Sequence, residues 1–252
     1  MRSALAQPSV SIVLPTHNEL RNLKLLIPQI VSRLKNKSIE VIVVDDASTD
    51  GSKPWLLKQS KNNGVVIPIF GNKLLGIGKA LKRGYSQAKG DCIVSIDADL
   101  SFDSKIIPKL VSEVKQGYDL VLASRHTVGG YYEAKTWDIK RKRLISYLSN
   151  LILRTLIPIG VSDFSANCRA MKKSLWRKLV LHEKTNIWLI EMIVASAIGG
   201  ARIRELPVSF IDRRFGISKL RLGREIVSSG YRVVGLVVRY WINRLKKNLT
   251  IE

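Results

Sequence analysis

The first half of the chain alternates short apolar runs with segments of helical spacing. The first apolar run, Val10 to Leu14, ends at Pro15, and residues 19–36 then repeat leucine, isoleucine and valine every three or four positions. The further predicted strands are 40–44, 65–70, 91–96 and 120–123, and further helices begin at Trp55 or span 79–88 and 105–115. Apolar strands separated by helices are typical of a mainly parallel sheet with helices on both faces, so we predict a doubly wound α/β domain.

Polar clusters stand at the ends of three predicted strands. Pro15 to Glu19 follow the first strand, Asp45 and Asp46 close the second, and Asp97-Ala98-Asp99 closes the fourth. Ligands in such sheets bind beyond the carboxyl ends of the strands. We therefore expect the three clusters to converge on one edge and to form a binding site there.

The second half of the chain has a different character. It carries a basic segment at 137–143, an apolar helix at 144–157, a strand within 201–210, a glycine-containing basic loop at 213–219 and a long helix at 222–247. In the long helix we expect one shared apolar face, made of Val234, Val237, Val238, Trp241 and Leu245. We expect residues 1–221 to form the main domain and residues 222–252 an amphipathic, membrane-associating C-terminal helix.

Charge narrows the possible partners. The chain has 42 lysines and arginines against 20 aspartates and glutamates, a net charge of +22, which favours nucleic acid, anionic lipid or phosphorylated substrates. No run approaches the roughly 20 apolar residues of a membrane span, and Met1 to Ser9 lacks the apolar region of a signal peptide. Cys92 and Cys168 lie among apolar or small residues and predict buried thiols, without a zinc site or a disulfide.

A pair of carboxylates at a strand end suits metal binding. Asp97 and Asp99 are separated by one residue, so their charges would repel without a cation or a shared proton. A divalent cation held there neutralises the charge that develops when a nucleoside diphosphate leaves a nucleotide-sugar. We therefore predict a metal-dependent nucleotide-sugar site, the alternative for these residues being a turn or a helix cap.

Other polar residues at the same edge have two interpretations each. Asp46 can accept hydrogen bonds from a base or ribose, or can form a turn, and Asp50 can cap the next helix. Arg125, after the fifth strand, can clamp phosphate in a bidentate way, or can be a solvated surface arginine. His17 can stack on a base, or can be a turn residue.

Several segments of the chain resemble those of a known family. Ser11 to Glu19, Val43 to Gly51 and Asp97 to Ser101 look like the corresponding motifs of the GT-A family 2 glycosyltransferases. Later segments are similar to dolichol-phosphate mannosyltransferases, namely Ser124-Arg125, 137–142, Ser162-Asp163, 206–210 and 213–220. The resemblance covers about residues 9–222 and implies a GT-A, Rossmann-like fold.

The resemblance also implies a role for each matching residue. The nucleoside would be surrounded by Pro15, His17, Glu19, Val44 and Asp46. Asp97, Ala98 and Asp99 would lie against the ribose, the diphosphate and a Mg²⁺ or Mn²⁺ ion, with Ser101 as a weaker metal ligand where some relatives have glutamine. The phosphates would be bound by Arg125, Arg213 and Lys219, which with Asp99 would form the catalytic set.

Two further departures from the family pattern concern the sugar and the base. The first motif usually has tyrosine where this chain has His17, which offers a smaller stacking surface. After Asp163 the family often has Ser/Thr-Gly, whereas this chain has Ser165-Ala166-Asn167. We expect this loop to help shape the sugar or acceptor site.

The reaction implied is transfer of mannose from GDP-mannose to dolichyl or polyprenyl phosphate with inversion. We find no confident general base in the sequence, and a phosphate acceptor needs none, because its second pKa near 6 leaves it largely dianionic at neutral pH. An acceptor in a lipid bilayer implies a peripheral protein on the cytoplasmic side of an anionic membrane. Three alternatives stay open: a family 2 enzyme using UDP-glucose or another donor, a nucleic-acid binding protein, and an inactive scaffold.

Overall fold

The computed structural model describes residues 8–183, 185–211, 213 and 222–249. The strands are β1 (Val10–Thr16), β2 (Ile39–Asp46), β3 (Val66–Gly71), β4 (Cys92–Ser95), β5 (Leu120–Ser124), β6 (Tyr131–Tyr132), β7 (Arg169–Lys172), β8 (Ile203–Pro207) and β9 (Ser209–Phe210). The helices are α1 (Leu20–Arg33), α2 (Ser52–Asn63), α3 (Ile77–Gln87), α4 (Ile106–Lys115), α5 (Trp137–Leu156), α6 (Lys173–Trp176), α7 (Ile187–Ile198) and α8 (Leu222–Leu249). Lys219 lies outside the described residues.

A seven-stranded sheet forms the centre of the molecule, in the order β3-β2-β1-β4-β7-β5-β8. Neighbouring strands are parallel except at β7, which is antiparallel to both β4 and β5. A separate parallel pair joins β6 to β9. The predicted α/β fold with a mainly parallel sheet is therefore confirmed.

Helices cover both faces of the sheet because successive strand residues point to opposite sides. In β1, Ile12 and Leu14 belong to one apolar cluster with residues of α1, α2 and α4, while Val13 belongs to a second cluster with residues of α3, α5, α7 and α8. Gly84 lets α3 lie directly on β1, since a Cβ atom there would come within 2.3 Å of the Val13 side chain. Cys92 and Cys168 are buried and free, as predicted.

The sequence pattern did not reveal β7. Its apolar centre, Ala170 and Met171, is flanked by Arg169 and Lys172, which read as a polar segment. The strand nevertheless lies inside the sheet, and Arg169 is completely buried there. Its guanidinium donates to the carbonyl of Leu189 in α7 at 2.9 Å and to the carbonyl of Ala166.

Two helices of the second half combine a buried face with an exposed apolar face. Helix α5 begins at Trp137, so the predicted basic segment forms its first turns. In α8, Leu236 and Tyr240 are buried, and Val237 packs beside them on the second cluster. Val237 is thus half-buried, whereas the other four residues of the predicted apolar face are exposed. None of the described helices combines the length and the apolar character that crossing a membrane requires.

Candidate active site at the carboxyl edge of the sheet

The loops that follow β1 and β2 are joined by hydrogen bonds at the carboxyl edge of the sheet. The backbone N–H of Thr49 donates to the side-chain oxygen of Asn18 at 2.7 Å, and the Asn18 N–H donates to Ser48 Oγ at 2.7 Å. Asn18, Ala47 and Leu100 have positive φ angles of 56°, 58° and 63°. Such backbone strain in non-glycine residues gathers at functional sites, and here it marks the ends of β1, β2 and β4.

Asp50 ties two helices to this edge. Its Oδ2 accepts from Leu20 N at the start of α1 at 2.8 Å, and its Oδ1 accepts from Ser52 N at the start of α2 at 3.1 Å. Burial alone would raise the pKa of Asp50, but the hydrogen bonds from Ser52 and Leu20 hold it below its usual value. Asp50 therefore accepts from the first N–H of each helix, although the N-cap residue of α2 is Gly51.

Asp46 and His17 lie together where β2 ends. His17 Nδ1 is 2.7 Å from the main-chain oxygen of Asp46, so the first and second polar clusters are in contact. The Asp46 carboxylate is almost completely buried and accepts from Leu75 N at 3.1 Å. Burial raises its pKa. The roles of both residues toward a nucleoside stay predictions, as do those of Pro15 and Val44, which are paired across β1 and β2.

The third cluster contains two carboxylates in different surroundings. Asp97 accepts from Asn167 Nδ2 at 2.9 Å, and burial together with the neighbouring charge of Asp99 raises its pKa to about 6. Asp99 accepts from Ser101 N at 3.0 Å, a turn made possible by the positive φ of Leu100. Ala98 between them is buried.

Asp97 and Asp99 can hold a divalent cation whose remaining coordination positions are filled by a bound ligand and water. The described residues contain no cluster of three or more His, Cys, Asp or Glu side chains suited to a metal. Mg²⁺ is commonly held by one or two carboxylates together with substrate phosphates and water. A cation here would also favour the ionised form of Asp97, which burial and Asp99 disfavour. Ser101 is buried, its main-chain oxygen accepts from Ile211 N at 3.0 Å, and its role as a metal ligand stays a prediction.

Arg125 is not the solvated surface arginine of the alternative interpretation. Its Nε and Nη2 atoms donate to the two oxygens of buried Asp163 at 2.7 and 2.9 Å. The guanidinium also lies 5.3 Å from the Tyr132 ring centre and 5.2 Å from that of Phe210. Burial would raise the pKa of Asp163, but the charge and hydrogen bonds of Arg125 hold it well below its usual range. The positive charge of Arg125 is thus balanced by Asp163. The predicted binding of phosphate by Arg125 stays a prediction.

Arg213 is brought to the carboxylates by the chain that follows β9. Its Nη2 lies 3.1 Å from Asp99 Oδ2, and its Nη1 lies 3.9 Å from Glu19 Oε1. One guanidinium therefore links the first predicted motif to the third.

Two residues of the segment before β7 had no assigned role in the sequence. Asp163 accepts from the backbone N–H groups of Arg125, Ser165 and Ala166 and so organises this loop. Asn167 reaches Asp97. Two features of the sequence could have pointed to these residues. Asp163 is a carboxylate in the Ser162-Asp163 motif, and Asn167 lies where the chain departs from the family pattern.

Solved structures support the fold. Glucosyl-3-phosphoglycerate synthase from Mycobacterium tuberculosis, in complex with Mn²⁺, UDP and glucosyl-3-phosphoglycerate, superposes with a TM-score of 0.68 at 20% identity, covering 92% of this chain and 80% of that one. At this identity the likeness concerns the architecture alone.

Sequence relatives define the family. Residues 11–180 match the model of Glycosyl transferase family 2. The chain is 31% identical over 215 residues to a dolichol-phosphate mannosyltransferase of Pyrococcus furiosus, covering 84% of this chain but 59% of that relative's length. It is also 31% identical over 227 residues to an undecaprenyl-phosphate mannosyltransferase of Micrococcus luteus, covering 85% of this chain and 88% of that relative. The chain therefore belongs to glycosyl transferase family 2.

Proposed function

We propose that this protein is an inverting, metal-dependent glycosyltransferase that transfers mannose from GDP-mannose to a polyprenyl phosphate at an anionic membrane surface. The observation that carries the proposal is the pairing of Asp97 and Asp99 at the carboxyl edge of the sheet, with Arg213 in contact with Asp99. Relatives named as mannosyltransferases of dolichol phosphate and undecaprenyl phosphate supply the substrate class.

The donor half of the site would be built by the β1, β2 and β4 edges. Asp46 and His17 lie together there, as a base or ribose would require. Mg²⁺ or Mn²⁺ at Asp97 and Asp99 supplies positive charge that stabilises the departing diphosphate. Because the hydrogen bonds of Asn18 and Asp50 hold these loops in place, the site needs little rearrangement before the donor binds.

The acceptor half would face that edge from the segment after β9. Arg213 is a fixed positive charge beside Asp99, where a second phosphate could approach the donor without repulsion. An acceptor phosphate carries its nucleophilic oxygen already ionised, so no side chain has to remove a proton from it. That oxygen attacks the anomeric carbon as the bond to the diphosphate breaks, which inverts the configuration. Lys219 is proposed to share this role.

The outer faces of α5 and α8 are the proposed membrane contact. Six residues of α8 fall on one stripe of about 100° at the helical repeat of 3.6 residues, and all are at least 40% exposed. They are Tyr231, Val234, Val238, Trp241, Ile242 and Leu245. Helix α5 adds a second exposed set, made of Trp137, Leu144, Tyr147, Leu148, Leu151, Ile152 and Leu156. Such concentrations of exposed apolar surface mark protein or membrane contacts.

Position and charge favour a lipid surface as the partner of this face. Trp241 Nε1 donates to the main-chain oxygen of Leu156 at 3.0 Å, so the two exposed sets meet where α5 ends. Exposed basic residues accompany them, namely Lys140, Arg141, Arg143, Arg154, Arg244 and Lys246. Apolar side chains flanked by lysine and arginine are typical of helices that lie in the interface of anionic membranes.

A donor panel tests the proposal. The protein would be incubated with polyprenyl phosphate in anionic liposomes and with GDP-mannose, UDP-glucose or other nucleotide-sugars, with Mn²⁺, Mg²⁺ or a chelator. We expect a mannosylated lipid phosphate from GDP-mannose, formed only when metal is present. Product from a UDP-sugar alone would reject the proposed donor while keeping the reaction class, and product in the presence of chelator would reject the metal.

A further inference from the structure

The side chain of Asn167 contacts Asp97, the half-buried first member of the carboxylate pair. Its Nδ2 donates to Asp97 Oδ1 at 2.9 Å, and the residue is only 2% exposed. Among the described residues this is the one hydrogen bond to the Asp97 carboxylate. Asp99 is held differently, by a backbone N–H and by Arg213.

Two buried side chains, Ser95 and Arg169, hold the backbone at Asn167. Its main-chain oxygen accepts from Ser95 Oγ of β4 at 2.9 Å, and the Tyr85 hydroxyl of α3 donates to that same Oγ at 3.0 Å. The preceding carbonyl, of Ala166, accepts from buried Arg169, whose other donor reaches α7. The carboxamide therefore projects from a point that can move little.

The orientation of the carboxamide is set by Asp97. The other polar atom of the side chain, Asn167 Oδ1, is buried and has no hydrogen-bond partner in the described part of the structure. A flip of the amide would place this oxygen against Asp97 Oδ1 and would replace an attraction by a repulsion. Leaving a buried acceptor unpaired costs about 1–3 kcal/mol, so the stability of the fold does not explain this residue.

We propose that Asn167 is a positioning residue for the donor site: it holds one oxygen of Asp97 so that the other is presented to the divalent cation bound with the donor. This role rests on the proposed metal-dependent donor site. Hydrogen-bond partners behind a metal ligand typically change metal affinity or activity about 10–100-fold. The role is particular to this chain, because the family often has glycine in this segment and glycine offers no such donor.

The test measures metal-dependent binding of GDP, and of UDP in parallel, by isothermal titration calorimetry at a series of Mn²⁺ concentrations. In Asn167→Ala we expect the Mn²⁺ concentration for half-maximal nucleotide binding to rise about tenfold or more. Binding without metal should be unchanged. The melting temperature should fall only modestly, because the substitution leaves Asp97 without its hydrogen bond but also removes the unpaired buried oxygen of Asn167. A wild-type Mn²⁺ requirement in this variant would overturn the proposal.

Asn150→Ala is the matched control. Asn150 is equally buried and supports the same loop, with its Oδ1 accepting from Phe164 N at 2.8 Å and its Nδ2 donating to Ser146 O at 2.8 Å, but it does not contact Asp97. We expect this variant to be less stable with an unchanged Mn²⁺ requirement. Equal shifts in both variants would mean general disruption of the loop and would overturn the role of Asn167.

A second variant covers the case in which Asn167→Ala does not fold. Asn167→Ser keeps a short hydroxyl donor and should give a smaller rise in the Mn²⁺ requirement than the alanine variant. If the alanine variant does not fold, the serine variant should still show a clear rise above wild type. A serine variant with wild-type behaviour beside an unfolded alanine variant would reject the role. If the wild-type protein binds both nucleotides equally well with and without Mn²⁺, the metal site itself is rejected. If wild-type binding depends on Mn²⁺ and the Asn167 variant shows the same dependence, only the role of Asn167 is rejected.

Discussion

Two arginine–aspartate pairs at the candidate site differ in how far they are removed from water. Arg125 and Asp163 are 9% and 0% exposed and are joined by two short hydrogen bonds. Arg213 and Asp99 are 22% and 13% exposed and share a single contact of 3.1 Å. Among the described residues, Asp163 also accepts from three backbone N–H groups, whereas Asp99 accepts from one.

The difference separates a structural pair from an exchangeable one. Removing one partner of a buried, fully satisfied pair leaves a charge without compensation and is strongly destabilising. A partly exposed pair contributes little to stability, so its members can exchange partners for a cation and a phosphate at small cost. We therefore expect Arg125 and Asp163 to hold the loops of the proposed site together, and Asp99 and Arg213 to exchange partners when ligands bind.

The largest effect is expected from breaking the buried pair. Asp163→Ala should lower the free energy of unfolding by about 3–5 kcal/mol, because the Arg125 guanidinium stays buried without its carboxylate. Urea unfolding followed by circular dichroism measures this. Asp103→Ala, which removes a surface partner 3.6 Å from Arg33, is the control and should change the value by less than about 1 kcal/mol. Equal losses in the two variants would contradict the distinction between the pairs.

The same pair predicts a pH dependence. Arg125 holds the pKa of folded Asp163 below its value of about 3.9 in the unfolded chain. A depressed carboxyl pKa contributes stability that is present above the unfolded pKa and is lost as the pH falls toward the folded pKa. The difference in unfolding free energy between wild type and Asp163→Asn should therefore be constant from about pH 5 to 7 and should shrink below about pH 4. A difference that stays constant down to pH 2 would contradict this.

The second effect concerns the exchangeable carboxylate. Asp99→Asn should reduce sugar transfer about 10²–10³-fold, a loss of the size seen when one preorganised electrostatic contact to a developing charge is removed. Its unfolding free energy should stay within about 1 kcal/mol of wild type. Initial rates with saturating Mn²⁺ measure the loss. A variant as unstable as Asp163→Ala would remove the contrast between the two pairs.

A smaller loss is expected at the partner of Asp99. Arg213→Ala should reduce transfer about 10–100-fold, since a charge-assisted hydrogen bond to phosphate contributes about 1.5–3 kcal/mol. Arg213→Lys keeps the charge but loses the planar two-donor geometry, so its transfer rate should lie between those of the wild type and the alanine variant. Wild-type rates in the alanine variant would show that Arg213 only neutralises the carboxylates when no ligand is bound.

The smallest effect is expected at the proposed membrane face. Val238→Glu on α8 should weaken binding to vesicles containing anionic lipid about fivefold or more, from a repulsion of about 1 kcal/mol per charge together with lost apolar contact. Leu57→Glu on α2 is the control, since Leu57 is 43% exposed but lies outside the proposed contact. Cosedimentation at low and high salt measures both. Equal binding by the two variants would exclude α8 from the contact.

The position of the three polar clusters could be predicted from the sequence for a physical reason. The carboxyl ends of parallel strands lie at one edge whatever the details of packing, so the clusters after β1, β2 and β4 could be assigned to the same edge from the pattern alone. Strand and helix positions in the first half followed from apolar runs and helical periodicity, because β1 and β2 are buried almost throughout and α1 buries one face.

The rest of the site depends on a strand whose pattern is weak. Because β7 inserts between β4 and β5, it brings Asp163 to Arg125, which is 38 residues away, and Asn167 to Asp97, which is 70 residues away. Neither partnership leaves a periodic signal. Arg169 hides the strand further, since a buried arginine that donates to carbonyl oxygens looks like a surface residue in the sequence.

The acceptor is the most direct test of the account. Liposomes carrying either polyprenyl phosphate or the matching polyprenol would be supplied with GDP-mannose and Mn²⁺, and the lipid products would be identified by mass spectrometry. We expect mannosyl polyprenyl phosphate from the phosphorylated lipid and no product from the alcohol, because the proposed reaction relies on an acceptor oxygen that is already ionised. Transfer to the alcohol at a comparable rate, or no transfer to the phosphate from any nucleotide-sugar, would contradict it.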